Sequence, residues 1–235
     1  MSNIVVLITG TNRGIGFELT KQYLLDGCRV IATCRNIQQA TDLVSLQERF
    51  VENLIIEPMD ISSPETIQGL ADKLDKHDIK IDLIISNAGY LDRENKSIYA
   101  IDYAAAEQSF KVNSVGPLYL VHCFLPLINQ ERLCKIIFIS SAMGSLTLEQ
   151  NVDWYGYRMS KAATNMLTVN LSQELGQNKI IVTAIHPGWV QTDMGGHCAE
   201  ESIEDSTLGI MKVVNGLSIN NTGHFYSFNG ETLPF

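Results

Sequence analysis

A chain of 235 residues, 45% hydrophobic and 18% charged, is long enough for one sizeable core and too apolar to stay disordered. Its net charge of −9 argues against a general nucleic-acid binder, which needs a basic face, yet local arginines and backbone amides can still hold an anionic cofactor. No apolar run nears the roughly 20 residues of a membrane span, and the five cysteines (Cys28, Cys34, Cys123, Cys134, Cys198) lack Cys-x-x-Cys spacing. They read as reduced, mostly buried thiols with no metal site, and a cytoplasmic protein without membrane or nucleic-acid partners is expected.

In chain order, strands are predicted at Asn3–Thr9, Arg29–Cys34, Leu54–Glu57, Leu83–Ser86, Lys135–Ser140, Ile180–Ile185 and His224–Phe228. Helices are predicted between them at Phe17–Asp26, Gln38–Phe50, Glu65–His77, Tyr103–Val112, Pro117–Asn129, Tyr155–Gln177 and Ile203–Val214. Strand and helix alternate almost to the end, with no repeat or linker. The expectation is therefore one α/β domain, 1–235, built as a Rossmann-type doubly wound parallel sheet of about seven strands flanked by helices. Ligands in such folds sit outside the carboxyl ends of the strands, and the motifs below lie just after strands or at adjacent helix starts.

The first strand runs into Thr9-Gly10-Thr11-Asn12-Arg13-Gly14-Ile15-Gly16. Gly10 allows a tight turn, Gly14 lets phosphate approach the backbone, and Gly16 lets the following helix pack on the strand. Alone, a turn with three glycines is weak evidence; the strand before it and the helix after it raise it. The second strand ends at Ala32-Thr33-Cys34-Arg35, where an acid would bind free ribose hydroxyls. The acid is missing. Arg35 and Arg13 together suit a 2′-phosphate and favour NADP(H) over NAD(H), although each alone could be an ordinary solvated arginine. Asp60, beside Ile61, either accepts from the adenine amino group or caps the next helix. In Ser86-Asn87-Ala88-Gly89 small residues let the cofactor lie close, and Asn87 can cross-link neighbouring strands.

Tyr157 and Lys161 stand four apart, on one helix face. A cation at ~4–5 Å with an effective dielectric of ~20 is worth roughly 3–4 kcal/mol, which predicts a phenol lowered by about two to three units. The apolar strand from Ile136 ends in two hydroxyls, Ser140 and Ser141; such a serine can hold a carbonyl oxygen while the tyrosine protonates it, although taken alone it reads more readily as a strand-end cap.

Together these residues resemble the short-chain dehydrogenase/reductase family over essentially the whole chain. Thr9–Gly16 looks like its Thr-Gly-x-x-x-Gly-x-Gly turn, and Asn87-Ala88-Gly89 like its Asn-Asn-Ala-Gly motif with Ser86 in first place. Asn113 matches the helix asparagine that bends its helix and holds a water near the lysine. Ser141, Tyr157 and Lys161 match the catalytic serine, tyrosine and lysine. His186-Pro187-Gly188-Trp189-Val190-Gln191-Thr192 resembles the segment bordering the nicotinamide, with Thr192 on its carboxamide. The ending and the Gly188–Gly196 stretch look like the C-factor/Sniffer-like carbonyl reductase subgroup.

The resemblance implies hydride transfer from NADPH to a carbonyl, with Tyr157 as proton donor, and a homo-oligomer (dimer or tetramer). Substrate loops are expected at 142–154 and 193–206, with Met143, Leu146, Trp154 and Trp189 as candidate pocket walls for a small apolar carbonyl compound. A regulatory cofactor-binding protein with weak catalysis, or an NAD-dependent alcohol dehydrogenase, are the competing readings.

Overall fold

The computed structural model describes residues 4–93, 95–148 and 153–235. Strands β1 (Val5–Thr9), β2 (Arg29–Cys34), β3 (Leu54–Pro58), β4 (Leu83–Ser86), β5 (Cys134–Ile139), β6 (Ile180–His186), β7 (Phe225–Ser227) and β8 (Thr232–Leu233) form one sheet. Its order is β3-β2-β1-β4-β5-β6-β7-β8. All neighbours are parallel except β7 and β8, which pair antiparallel.

The buried strands alternate their side chains between two cores, as the period of two demands. On one face Leu7, Ile31, Ile84, Ile136 and Val182 pack under Ile67, Leu70 and Leu74 of α3 (Pro64–Lys76), Leu120 and Phe124 of α5 (Gly116–Phe124), and Leu171 and Leu175 of α6 (Tyr155–Leu175). On the other, Val6, Ile8, Val30, Ile85 and Ile137 meet Leu19 and Leu24 of α1 (Gly14–Leu25), Leu43 and Leu46 of α2 (Thr41–Arg49), and Ile210 and Val214 of α7 (Ile203–Gly216). The remaining helix, α4, spans Tyr103–Phe110. Two covered faces explain why each strand reads as a nearly continuous apolar run.

The expected seven strands are all present, with ends shifted by at most two residues; Asn3 lies outside the described residues. The eighth, β8, is two residues long and follows a turn at Gly230 (φ +93°), too short to leave a periodic signal. The two helices expected at Tyr103–Val112 and Pro117–Asn129 are joined by a π turn, Lys111–Val115, which leads directly into α5. Pro117 sits in the first turn of α5, where its missing N–H costs least. Ser63 caps α3 through a bond from Thr66 N (3.4 Å), with Pro64 opening the helix.

The amino edge of the sheet is tied by buried Asp82, whose carboxylate accepts from Val5 N (2.8 Å) and Asn129 Nδ2 (2.8 Å), with Arg132 at 3.8 Å. Asp82→Ala leaves those donors without their acceptor. We expect a loss of about 2–3 kcal/mol in urea-unfolding stability, read as a lower midpoint at unchanged slope.

Candidate active site

The strand order reverses between β1 and β4, and the carboxyl ends of the two strands diverge there. Asn87 fixes the opening: its side-chain amide donates to Thr9 O (2.9 Å) and Gly10 O (3.1 Å), while Asn87 N and Ala88 N both donate to Thr9 Oγ1 (3.0 Å). Gly10 has φ +71°, and a Cβ there would stand 2.8 Å from Ala88 Cα. Glycine is required on both counts. Helix α1 begins at Gly14 with no side-chain cap from Arg13, so its first amides remain available to an anion.

From this point a cavity of about 840 Å³ runs along the carboxyl edge of the sheet. Of the residues that the sequence offers for the cofactor, Gly10, Asn12, Arg13, Gly14, Ile15, Gly16, Arg35, Asp60, Ile61, Asn87, Ala88, Gly89, Tyr157, Lys161, Pro187 and Thr192 line it. Gly188 and Val190 do not. Gly188 (φ +86°) turns the chain against Glu201 and Phe228, and Val190 is buried, its carbonyl accepting from Thr192 N (2.8 Å). Asp60 closes a local turn, accepting from Ser62 N (2.8 Å) and Ser62 Oγ (2.7 Å). The helix cap itself is Ser63, not Asp60. Arg13 Nη1 lies 3.1 Å from Asp193 Oδ2.

At the inner end Tyr157, Lys161 and Ser140 line the cavity and are buried; Ser141 is buried after Ser140 but is not among the lining residues. The Ser141 hydroxyl acts on the Tyr157 phenol in the lowering direction, while Ser141 Oγ accepts from Met143 N (3.1 Å). Lys161 lies on the same helix face as Tyr157, but its ammonium donates to Ile139 O (2.8 Å) and stands 5.7 Å from the centroid of the phenol ring. The expected lowering of the phenol is therefore corrected. Burial pushes Tyr157 up to about 12, against the opposing pull of the Ser141 hydroxyl, and pushes Lys161 down to about 8. The Coulomb argument counted the attraction and not the removal of both groups from water. His186, at the end of β6, is held down to about 4 by burial and then by Lys161's charge, so it is neutral at physiological pH.

Asn113 sits in the π turn, outside the cavity lining. Its amide donates to Tyr90 O (2.8 Å) and Ser160 Oγ (2.9 Å), and its Oδ1 accepts from Tyr90 N (2.8 Å). Its carbonyl accepts from Thr164 Oγ1 (2.7 Å). The residue thus pins the bent helix to the loop after β4 and to α6.

The expected pocket walls are corrected. Met143, Leu146, Trp154 and Trp189 do not line the cavity. Met143 lies half-buried in a 3₁₀ turn that Ser141 caps (Met143 N to Ser141 Oγ, 3.1 Å), and Leu146 is exposed. Trp189 lies half-exposed, its indole donating to Gly195 O (2.8 Å). Trp154 takes a left-handed conformation (φ 49°) just before α6. Residues 149–152 of the expected 142–154 loop lie outside the described residues. The cavity is lined in addition by Tyr90, Arg93, Gln108, Val112 and Met194. Tyr90 could have been found by extending the Asn87–Gly89 motif by one residue; Arg93 and Gln108 carry no sequence signal of this kind. The segment 193–206 does border the cavity, through Asp193, Met194, Gly196, His197 and Ile203. No helix among the described residues is long and apolar enough to cross a membrane.

Comparison with known proteins agrees with this geometry. A model of the short chain dehydrogenase family matches residues 4–202. The C-signal protein of Myxococcus xanthus is 36% identical over 155 residues, covering 66% of this chain and 93% of that protein. The NADPH-bound carbonyl reductase from chicken fatty liver superposes with a TM-score of 0.91 at 32% identity, and the carbonyl reductase Sniffer of D. melanogaster with 0.93 at 29%; both comparisons cover 100% of each chain. With the family match running from β1 past the cavity's last strand, the chain belongs to the short chain dehydrogenase family of oxidoreductases.

Proposed function

We propose that the protein is an NADPH-dependent carbonyl reductase, converting an aldehyde, ketone or quinone to the alcohol. The observation that carries this reading is the placement of buried Tyr157 and Lys161, with buried Ser141 at the end of the neighbouring strand, at the inner end of a cleft whose outer end presents a glycine turn and two arginines. The chain's residues fit the dinucleotide. The uncapped amides of α1 and the close Gly10–Ala88 approach suit a pyrophosphate, and Arg13 and Arg35 suit a 2′-phosphate. The solved relative from chicken liver holds NADPH in the same fold.

NADPH, when bound, supplies the hydride. The chain's own groups handle the oxygen. Ser141 and Tyr157 hydroxyls bond the carbonyl oxygen, and Tyr157 gives it a proton as negative charge develops there. Burial helps this direction of reaction, because a phenol held near 12 stays protonated at neutral pH. Lys161 offsets the charge left on the phenol oxygen and holds the nicotinamide ribose. Asn113 keeps the π turn docked against α6, and Thr192 bonds the carboxamide. The cavity that holds Tyr157 is partly apolar (Val112, Met194, Tyr90), which suits small apolar carbonyl compounds. Exposed Val115, Leu118, Met159 and Met166 on the outer helices are consistent with self-association into a dimer or tetramer.

The likeness to C-signal favours one second reading, a signalling protein that binds the cofactor with little turnover. A panel of aldehydes, ketones and quinones separates the two. Turnover on none of them, with NADPH still bound, supports the second.

Tyr157→Phe removes the donated proton and is expected to lower kcat by about a hundredfold or more, while NADPH affinity by fluorescence titration is unchanged. Retention of kcat contradicts the assignment. The pH profile gives an independent check. Lys161 loses its charge above about pH 8 while Tyr157 stays protonated, so kcat for reduction is flat through neutrality and falls above about pH 8. A rate that instead climbs from pH 8 to 10 means that the phenolate is the working form.

A further inference from the structure

The segment after β6 folds into a compact turn across the cavity. Thr192 Oγ1 accepts from Gly195 N (3.1 Å), Thr192 O accepts from Gly196 N (2.8 Å), and Trp189 Nε1 donates to Gly195 O (2.8 Å). The turn is held from two sides by two arginines that both line the cavity. Arg93, on the loop after β4, donates through Nη2 to the carbonyls of Asp193 (2.6 Å) and Met194 (2.9 Å). Arg13, in the glycine turn, binds the Asp193 carboxylate at 3.1 Å. The main chain is thus tethered by Arg93, and the side chain is left to pair with Arg13. Among the described residues Arg35 has no such carboxylate partner.

We propose that Asp193 is a specificity-determining residue for the nucleotide, a resident anion on Arg13 that the 2′-phosphate of NADPH must displace. The inference rests on the reading of Arg13 as a phosphate ligand. A carboxylate and a phosphate engage a guanidinium through the same charge-assisted bonds, so they compete for Arg13. If the carboxylate stays, it faces a dianion of like charge across a short gap. Either way Asp193 weakens NADPH binding. NADH brings no 2′-phosphate and leaves the pair undisturbed. Asp193 therefore narrows the preference for NADPH over NADH and speeds release of the oxidised nucleotide, a step that limits turnover in many enzymes. The exchange is easy because both side chains are largely exposed, 69% for Arg13 and 73% for Asp193. An isosteric amide keeps the turn in place, since the bonds from Arg93 go to backbone carbonyls.

The test is a set of fluorescence titrations with NADPH and with NADH on the wild type, Asp193→Asn, Arg13→Gln and the double variant. Asp193→Asn is expected to tighten NADPH by about two- to fivefold, the scale of an exposed ion pair, and NADH by less. In the Arg13→Gln background the same substitution no longer changes NADPH affinity. The exchange is overturned if Asp193→Asn leaves NADPH affinity unchanged or weakens it, if NADH tightens equally, or if the effect persists without Arg13. Arg13→Gln alone separates the two levels. Weaker NADPH binding upholds Arg13 as the phosphate ligand whatever Asp193 does, whereas unchanged binding overturns both that assignment and the exchange.

Discussion

The bonds between Asn87 and the end of β1 are the constraint on which the rest of the site depends. They lie where neighbouring parallel strands lead their connections to opposite faces of the sheet, so nothing in the sheet ladder itself covers the gap. One side-chain amide satisfies two carbonyls, and one threonine hydroxyl receives two backbone amides. These bonds set the distance between the glycine turn and the loop after β4. The same loop continues to Tyr90, which Asn113 grips from the bent helix, and Asn113 in turn bonds Ser160 beside Lys161. A chain of short polar contacts therefore runs from the nucleotide end of the cleft to its reacting end.

Burial does the electrostatic work at that end. Tyr157, Lys161 and His186 are each moved toward their neutral forms, and the largest cause in every case is removal from water. The phenol is thus protonated at neutral pH. The outer end is the opposite: Arg13 and Asp193 are open to solvent, where their mutual attraction is weak and easily exchanged. A dry reacting end and a wet binding end suit a protein that must turn over one nucleotide after another.

Much of this was legible in the residues. Buried β-branched runs gave β2 and β4 to the residue, because a strand covered on both faces has no polar alternation to blur its ends. The glycine turn and the Tyr157–Lys161 spacing gave the two ends of the cleft for a similar reason: each motif is local. What sequence could not give is contact made at long range. Arg93 meets Asp193 across 100 positions, and nothing in either neighbourhood announces the other. Spacing placed Lys161 on Tyr157's face without saying that its ammonium reaches for Ile139 O. Met143, Trp154 and Trp189 were apolar and near the motifs, but apolarity says only that a side chain prefers a neighbour, not which one. Trp189 found Gly195.

Under the proposed function, this cleft brings the nicotinamide and a carbonyl group together at Tyr157. The most direct measurement uses NADPH deuterated at the transferable C4 position with an aromatic aldehyde, and reads the product by mass spectrometry and NMR. The expected product is an alcohol carrying one deuterium on the carbinol carbon, formed in step with loss of the reduced nucleotide. Aldehyde recovered unreduced with the reduced nucleotide retained, or an alcohol with no deuterium on its carbinol carbon, contradicts it.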